Sequence, residues 1–105
     1  MDKRKPNVVF IFSDQQRWDT LGVYGNSIVR TPHLDALANQ GVRFDNLFTP
    51  APVCSPSRAS LLTGLHPHQT GVGHLTYDLG HPAYTGSLNE HCVTLAEVLR
   101  AAGYA

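Results

Sequence analysis

The chain has 105 residues, 42% of them hydrophobic and 15% charged, and its formal net charge at neutral pH is zero. That composition belongs to a folded domain rather than a disordered segment, and the charge balance removes any electrostatic case for nucleic acid or an acidic membrane surface as a partner. Two cysteines, Cys54 and Cys92, make no disulfide framework, and the six histidines add positive charge only below neutral pH.

From the amino end, Lys3, Arg4 and Lys5 look like the charged start of a secretory leader. The apolar run behind them, residues 8–12, is too short for a leader or a membrane span, so the expected location is the cytoplasm. Val8, Val9, Phe10, Ile11 and Phe12 form a β-branched and aromatic run instead. They predict a strand buried on both faces of a parallel sheet. The run ends in Ser13, Asp14, Gln15 and Gln16, and ligands of open α/β sheets bind beyond the carboxyl ends of strands. Asp14, with the amide oxygen of Gln15 beside it, offers hard donors suited to calcium or magnesium. The competing role for Asp14 is to cap the turn that follows.

Residues 17–26 read as a loop broken by Gly22 and Gly25 and pinned by Trp18 and Tyr24, with Arg17 a weaker candidate for an anion contact. Thr31 and Pro32 predict the N-cap and first residue of a helix. Leu34, Leu37 and Ala38 fall on one face of it, His33 sits in its solvated first turn, and Gly41 stops it. Residues 42–44, with Leu47 and Phe48, predict a second strand or extended stretch. Pro50 and Pro52 then exclude regular structure up to position 53.

The densest chemistry follows. Cys54, Ser55, Ser57 and Arg58 bring a thiol, two hydroxyls and a guanidinium within five residues. Pro56 suits the first turn of a helix, Ser55 is the expected N-cap, and Gly64 is the expected left-handed stop. Cys54 is thereby placed at the positive end of a helix, where anions and thiolates are favoured. Arg58, about one turn on, can fork two hydrogen bonds to a tetrahedral oxyanion. Taken alone, Cys54 also suits a packed free cysteine. His66, His68 and His74 match no common zinc spacing, and Pro67 splits the first pair. Residues 76–89 are turn-rich and predict a surface loop beside the site. Thr94 with Glu97 is a capping-box pattern opening a helix with Leu95, Val98, Leu99 and Ala102 on one side and Gly103 at its end. Tyr104 and Ala105 read as the start of a further strand.

The run Cys54-Ser55-Pro56-Ser57-Arg58, with Leu62-Thr63-Gly64 after it, resembles the type I sulfatase signature. Thr31-Pro32 with Leu34-Asp35 and Leu37-Ala38, and Gly41-Val42-Arg43-Phe44, are similar to the same family's N-terminal region, as are Tyr24-Gly25-Asn26. The resemblance implies an α/β fold: the N-terminal part of an alkaline-phosphatase-like sandwich with a mostly parallel central sheet flanked by helices. On it, residues 1–105 are an incomplete portion of a catalytic domain. It implies that a formylglycine-generating maturation enzyme oxidises Cys54 to Cα-formylglycine. The hydrated aldehyde then attacks the sulfur of a sulfate ester, on a small molecule or a sulfated glycan. Arg58 holds the modified residue, and calcium, with magnesium or manganese as alternatives, is bound by Asp14, Gln15 and the modified side chain at 54. The family commonly carries two adjacent aspartates where this chain has Asp14-Gln15, which removes one negative charge and keeps an oxygen donor. Leu65 stands where many members carry Arg or Lys. Sulfuric-ester hydrolysis is thus the expected activity of the whole protein, with these residues inactive alone. Phosphonate monoester or phosphodiester hydrolysis, or non-catalytic anion binding, are the alternatives.

Overall fold

The computed structural model describes residues 5–74 and 86–104. They belong to two compact units, Met1–Asp45 and Asn46–Ala105.

The first unit is organised by one carboxylate. Two 3-10 turns, Trp18–Thr20 and Gly22–Tyr24, precede helix α1, Pro32–Gln40. Thr31 is the N-cap of α1, as its sequence predicts, but its hydroxyl does not serve the helix. It accepts from the Gly22 N–H at 2.8 Å and donates to Asp35 Oδ1 at 3.0 Å, and the same Asp35 oxygen accepts from the Val23 N–H at 2.8 Å. The loop is thus tied to α1 by side chains from the first turn of the helix. Trp18 and Tyr24 meet edge to face, with centroids 5.5 Å apart, and Arg43 lies over the Tyr24 ring. Asn26 closes the loop, its Nδ2 donating to the Asp19 carbonyl and its Oδ1 accepting from the Ile28 and Val29 N–H groups. His33 is exposed in the first turn of α1.

Gly22 is required here by space. A Cβ at this position would collide with the Asp35 carboxylate. That carboxylate is held by Val23 and Thr31, so it cannot swing away without losing both bonds. Gly22→Ala is expected to lower the stability of this unit by about 1–3 kcal/mol. Adding Gly22→Ala to Asp35→Ala should cost much less than it does alone, because the colliding group is gone. Thermal melts of the two single variants and the double variant check this; equal cost in both backgrounds refutes it.

The expected strand at residues 8–12 does not form a ladder, nor does the stretch at 42–44. No strand is present among the described residues, so the mostly parallel sheet is not formed by them. Phe10 and Phe12 stack at 6.1 Å, as residues two apart on one side of an extended backbone do. Yet Val9 and Ile11 are each 79% exposed, and Phe44, Leu47 and Phe48 are exposed too. The cause is that strand formation is non-local. Backbone donors and acceptors of a strand are satisfied only by a neighbouring strand, and an apolar run cannot supply its own partner. Leu34 and Leu37 of α1, expected on a packed face, are likewise exposed.

The second unit contains α2, Cys54–Thr63, α3, Pro67–Thr70, and α4, Leu95–Ala101. α2 packs against α3 and α4. Pro56, Ala59 and Ser60 are its buried positions, and Val72 beyond α3 is buried with them. The Ser60 hydroxyl is enclosed there with no hydrogen-bond partner among the described residues. α4 matches its sequence closely. Glu97 Oε2 accepts from the Thr94 N–H at 2.7 Å and the Glu97 N–H donates to Thr94 Oγ1 at 3.3 Å, the reciprocal capping box. These bonds to Thr94, backbone first and side chain second, hold the Glu97 carboxyl below the usual carboxylate range. At the other end Gly103 takes φ +84°. Its N–H reaches the Arg100 carbonyl at 2.9 Å and the Tyr104 N–H reaches Leu99 at 3.0 Å, a complete left-handed stop.

Most of the predicted loop at 76–89 lies outside the described residues, as does Ala105. Its flanks are joined. Gly86 N–H donates to the Gly71 carbonyl at 3.2 Å, Asn89 N–H to Thr70 at 2.9 Å, and Asn89 Nδ2 to Gln69 at 2.8 Å. Among the described residues no helix is long and apolar enough to cross a membrane.

Candidate active site

The site is built on the start of α2. Val53 is its N-cap, extended at φ −131° and ψ 138°, and the first turn closes when the Ser57 N–H donates to the Val53 carbonyl at 3.0 Å. Ser55 is therefore not the cap, as its hydroxyl suggests in the sequence, but the second residue of the helix. The reason lies in the proline. The first residues of any helix have N–H groups with no intrahelical partner, so Pro56 is accommodated at the third position as well as at the first. Cys54 consequently lies inside the first turn rather than before it.

That shift improves the geometry of the pair. Cys54 and Arg58 are four apart on one helix, so they share a face. Cys54 is half-buried and Arg58 exposed. The N–H groups of Cys54 and Ser55 point off the helix end, where the dipole favours negative charge. α2 ends as expected. Gly64 adopts φ +72° and its N–H reaches the Ser60 carbonyl at 2.7 Å, a left-handed position that a side chain would strain.

Asp14 and Gln15 belong to the first unit, and Cys54 and Arg58 to the second. Gln15 has φ +54°, the left-handed region, and is the one residue other than glycine to adopt it among those described. Arg17, a weaker anion candidate in the sequence, is committed to Asp19 through Nε at 3.0 Å and a second guanidinium contact. His66 and His68 stack with centroids 5.8 Å apart, and the His66 N–H is held by Gln69. No group of three or more His, Cys, Asp or Glu side chains among the described residues could hold a metal ion.

One contact was not legible in the spacing. Thr49 Oγ1 lies 2.7 Å from Ser57 Oγ, joining the proline-containing stretch to the first turn of α2. Thr49-Pro50 reads in sequence only as a break; the pairing depends on how residues 50–53 turn back.

The model of the sulfatase family matches residues 6–105, a span that contains Asp14, Gln15, Cys54 and Arg58. The chain belongs to the sulfatase family. Over 100 residues, 95% of its length, this sulfatase chain is 47% identical to an ulvan-active sulfatase of Formosa agariphila, of which that covers 18%. It is 45% identical to arylsulfatase A of Homo sapiens over 103 residues, 96% of this chain and 19% of that protein. With steryl-sulfatase of Mus musculus it shares 42% over 105 residues, 97% of this chain and 17% of that one. The sulfatase chain thus spans about a fifth of the length of the curated relatives it matches. Membership implies an alkaline-phosphatase-like α/β fold for the family.

Proposed function

We propose that this chain is the opening portion of the catalytic domain of a sulfuric-ester hydrolase, with Cys54 as the precursor of its nucleophile. The observation that carries this is Cys54 in the first turn of α2 with Arg58 one turn later on the same face, in a chain matched along its length by the sulfatase family. The mostly parallel sheet remains part of the proposal. The apolar runs at 8–12 and 42–44 are the segments available to it, and their exposure supports a role in pairing with other strands.

Cys54, oxidised to Cα-formylglycine by a maturation enzyme, supplies a hydrated aldehyde. One of its hydroxyls forms the bond to sulfur as the alcohol leaves, and the other then gives up its proton as inorganic sulfate departs and the carbonyl re-forms. This chain's residues prepare that event. The first-turn N–H groups of α2 favour a tetrahedral anion beside position 54. Arg58 fixes the modified side chain and offsets negative charge with a fork of donors. Pro56 keeps the turn rigid without requiring an N–H.

The donors Asp14 and Gln15 fit a hard divalent cation in kind, a carboxylate and an amide oxygen. They supply only part of the six to eight oxygens calcium takes, on the order of a third or less. Asp14 and Gln15 would hold such a cation, and when bound it would supply Lewis-acid polarisation of the sulfate-ester oxygens. The substrate is a sulfate ester, on a small molecule or a glycan. The names of the relatives, from ulvan-active sulfatase to steryl-sulfatase, support the class and select no member of it.

The protein carrying this chain, co-produced with a formylglycine-generating enzyme, is expected to carry the aldehyde at 54 by mass spectrometry and to release sulfate from an aryl sulfate. An aryl phosphodiester assayed in parallel is expected to turn over more slowly. Complete conversion at 54 without sulfate release sinks the proposal, and a phosphodiester preferred over the sulfate reassigns the substrate.

A further inference from the structure

We propose that Thr49 is a positioning residue for the reactive group at position 54, a role that rests on the formylglycine reading of Cys54. Thr49 Oγ1 lies 3.0 Å from the Ala51 carbonyl oxygen and 2.7 Å from Ser57 Oγ. A carbonyl only accepts, and a hydroxyl has one proton to give. Thr49 therefore donates to Ala51, and Ser57 is the donor to Thr49. The Ser57 N–H also donates to the Val53 carbonyl at 3.0 Å. Ser57 thus grips both ends of the stretch 49–53, its backbone holding one and its side chain the other.

What lies between explains why two grips are needed. Pro50 and Pro52 have no N–H to tie down, so the stretch has few donors of its own. Val53, the N-cap of α2, makes no side-chain cap hydrogen bond. Without the Thr49 bond the stretch would, among the described residues, be hydrogen-bonded to the first turn through the Val53 carbonyl alone, and one bond leaves it free to pivot about that point. With both bonds it is a closed clip, and Cys54 is the residue held between Val53 and Ser57. The clip performs the orienting work of a missing cap, fixing the direction in which the side chain at 54 leaves the helix relative to Arg58. Displacements of about 1 Å at a reacting atom cost up to about 100-fold in rate. Thr49 is exposed and its side chain fills no core, so its removal acts on alignment rather than on packing.

The test uses the protein carrying this chain, co-produced with the maturation enzyme, with rates normalised to the aldehyde-bearing fraction by mass spectrometry. Thr49→Val, which keeps the shape and removes the hydroxyl, is expected to lower kcat for an aryl sulfate by roughly 3- to 30-fold while KM changes by less than about twofold. Thr49→Ser is expected to restore the wild-type value. Ser57→Ala should reproduce the Thr49→Val loss, and the double variant should lose no more than either single one. Exchange of the Ser57 amide hydrogen, which is bonded to the Val53 carbonyl, should quicken in Thr49→Val and not in Thr49→Ser. Unchanged kcat per aldehyde in Thr49→Val, no rescue by serine, or unchanged exchange each overturns the proposal while leaving the formylglycine reading intact. A wild-type protein with no aldehyde at 54 overturns that reading itself, and the positioning role with it.

Discussion

Cys54→Ala is expected to reduce sulfate release by roughly 1,000-fold or more, because on the proposed mechanism it removes the atom on which the nucleophile is built. The alanine variant should still fold. Position 54 is only half-buried, and its helix is closed by the Ser57 N–H to Val53 bond, which does not involve the thiol. Cys54→Ser separates chemistry from structure more sharply. A serine hydroxyl can attack sulfur, but the resulting ester has no second hydroxyl on the same carbon and so no internal route to expel sulfate. Its expected signature is a single turnover: one equivalent of alcohol released, then arrest, with one sulfuryl group retained at position 54 by mass spectrometry. A serine variant that turns over continuously would show that the two-hydroxyl carbon is not needed. An alanine variant with wild-type turnover would remove Cys54 from the reaction altogether.

The helical parts of this chain were legible because their instructions are local. Thr94 and Glu97 form the capping box their three-residue separation predicts, and Gly103 ends α4 in the left-handed conformation expected of it. Thr31-Pro32 opens α1 as predicted. The same rule misplaced the start of α2, since proline tolerates every position of a first turn and so marks that turn without fixing which residue begins it. Strands carry no such local instruction. Residues 8–12 carry the right side chains, but a sheet is a relation between distant segments, and composition names no partner. In the candidate site the thiol and guanidinium were found by spacing, because a helix turns four residues of sequence into one face. The Thr49–Ser57 contact spans eight positions across three prolines, and no periodicity encodes such a closure. Gln15 departs in charge from the paired aspartates that the family resemblance implies. Its left-handed backbone is a second departure, which the sequence signalled only as a polar residue after a strand-like run.

That backbone makes the metal prediction more than a count of carboxylates. Asp14→Ala is expected to weaken calcium binding by roughly 100-fold, as loss of a charged ligand does, measured by calorimetric titration of the protein carrying this chain. Gln15→Asp should tighten it by about tenfold, and two effects push the same way. The substitution adds a full negative charge where an amide dipole stood. It also eases the backbone, since φ +54° is occupied by Asp and Asn far more readily than by longer side chains. Gln15→Asn separates the two, because it eases the backbone and keeps a neutral amide oxygen on a shorter arm. If Asn tightens calcium as much as Asp, the strain at position 15 rather than its charge limits affinity. If Asp14→Ala leaves the affinity unchanged, Asp14 is not a ligand, and its carboxylate serves only the turn that follows residues 8–12.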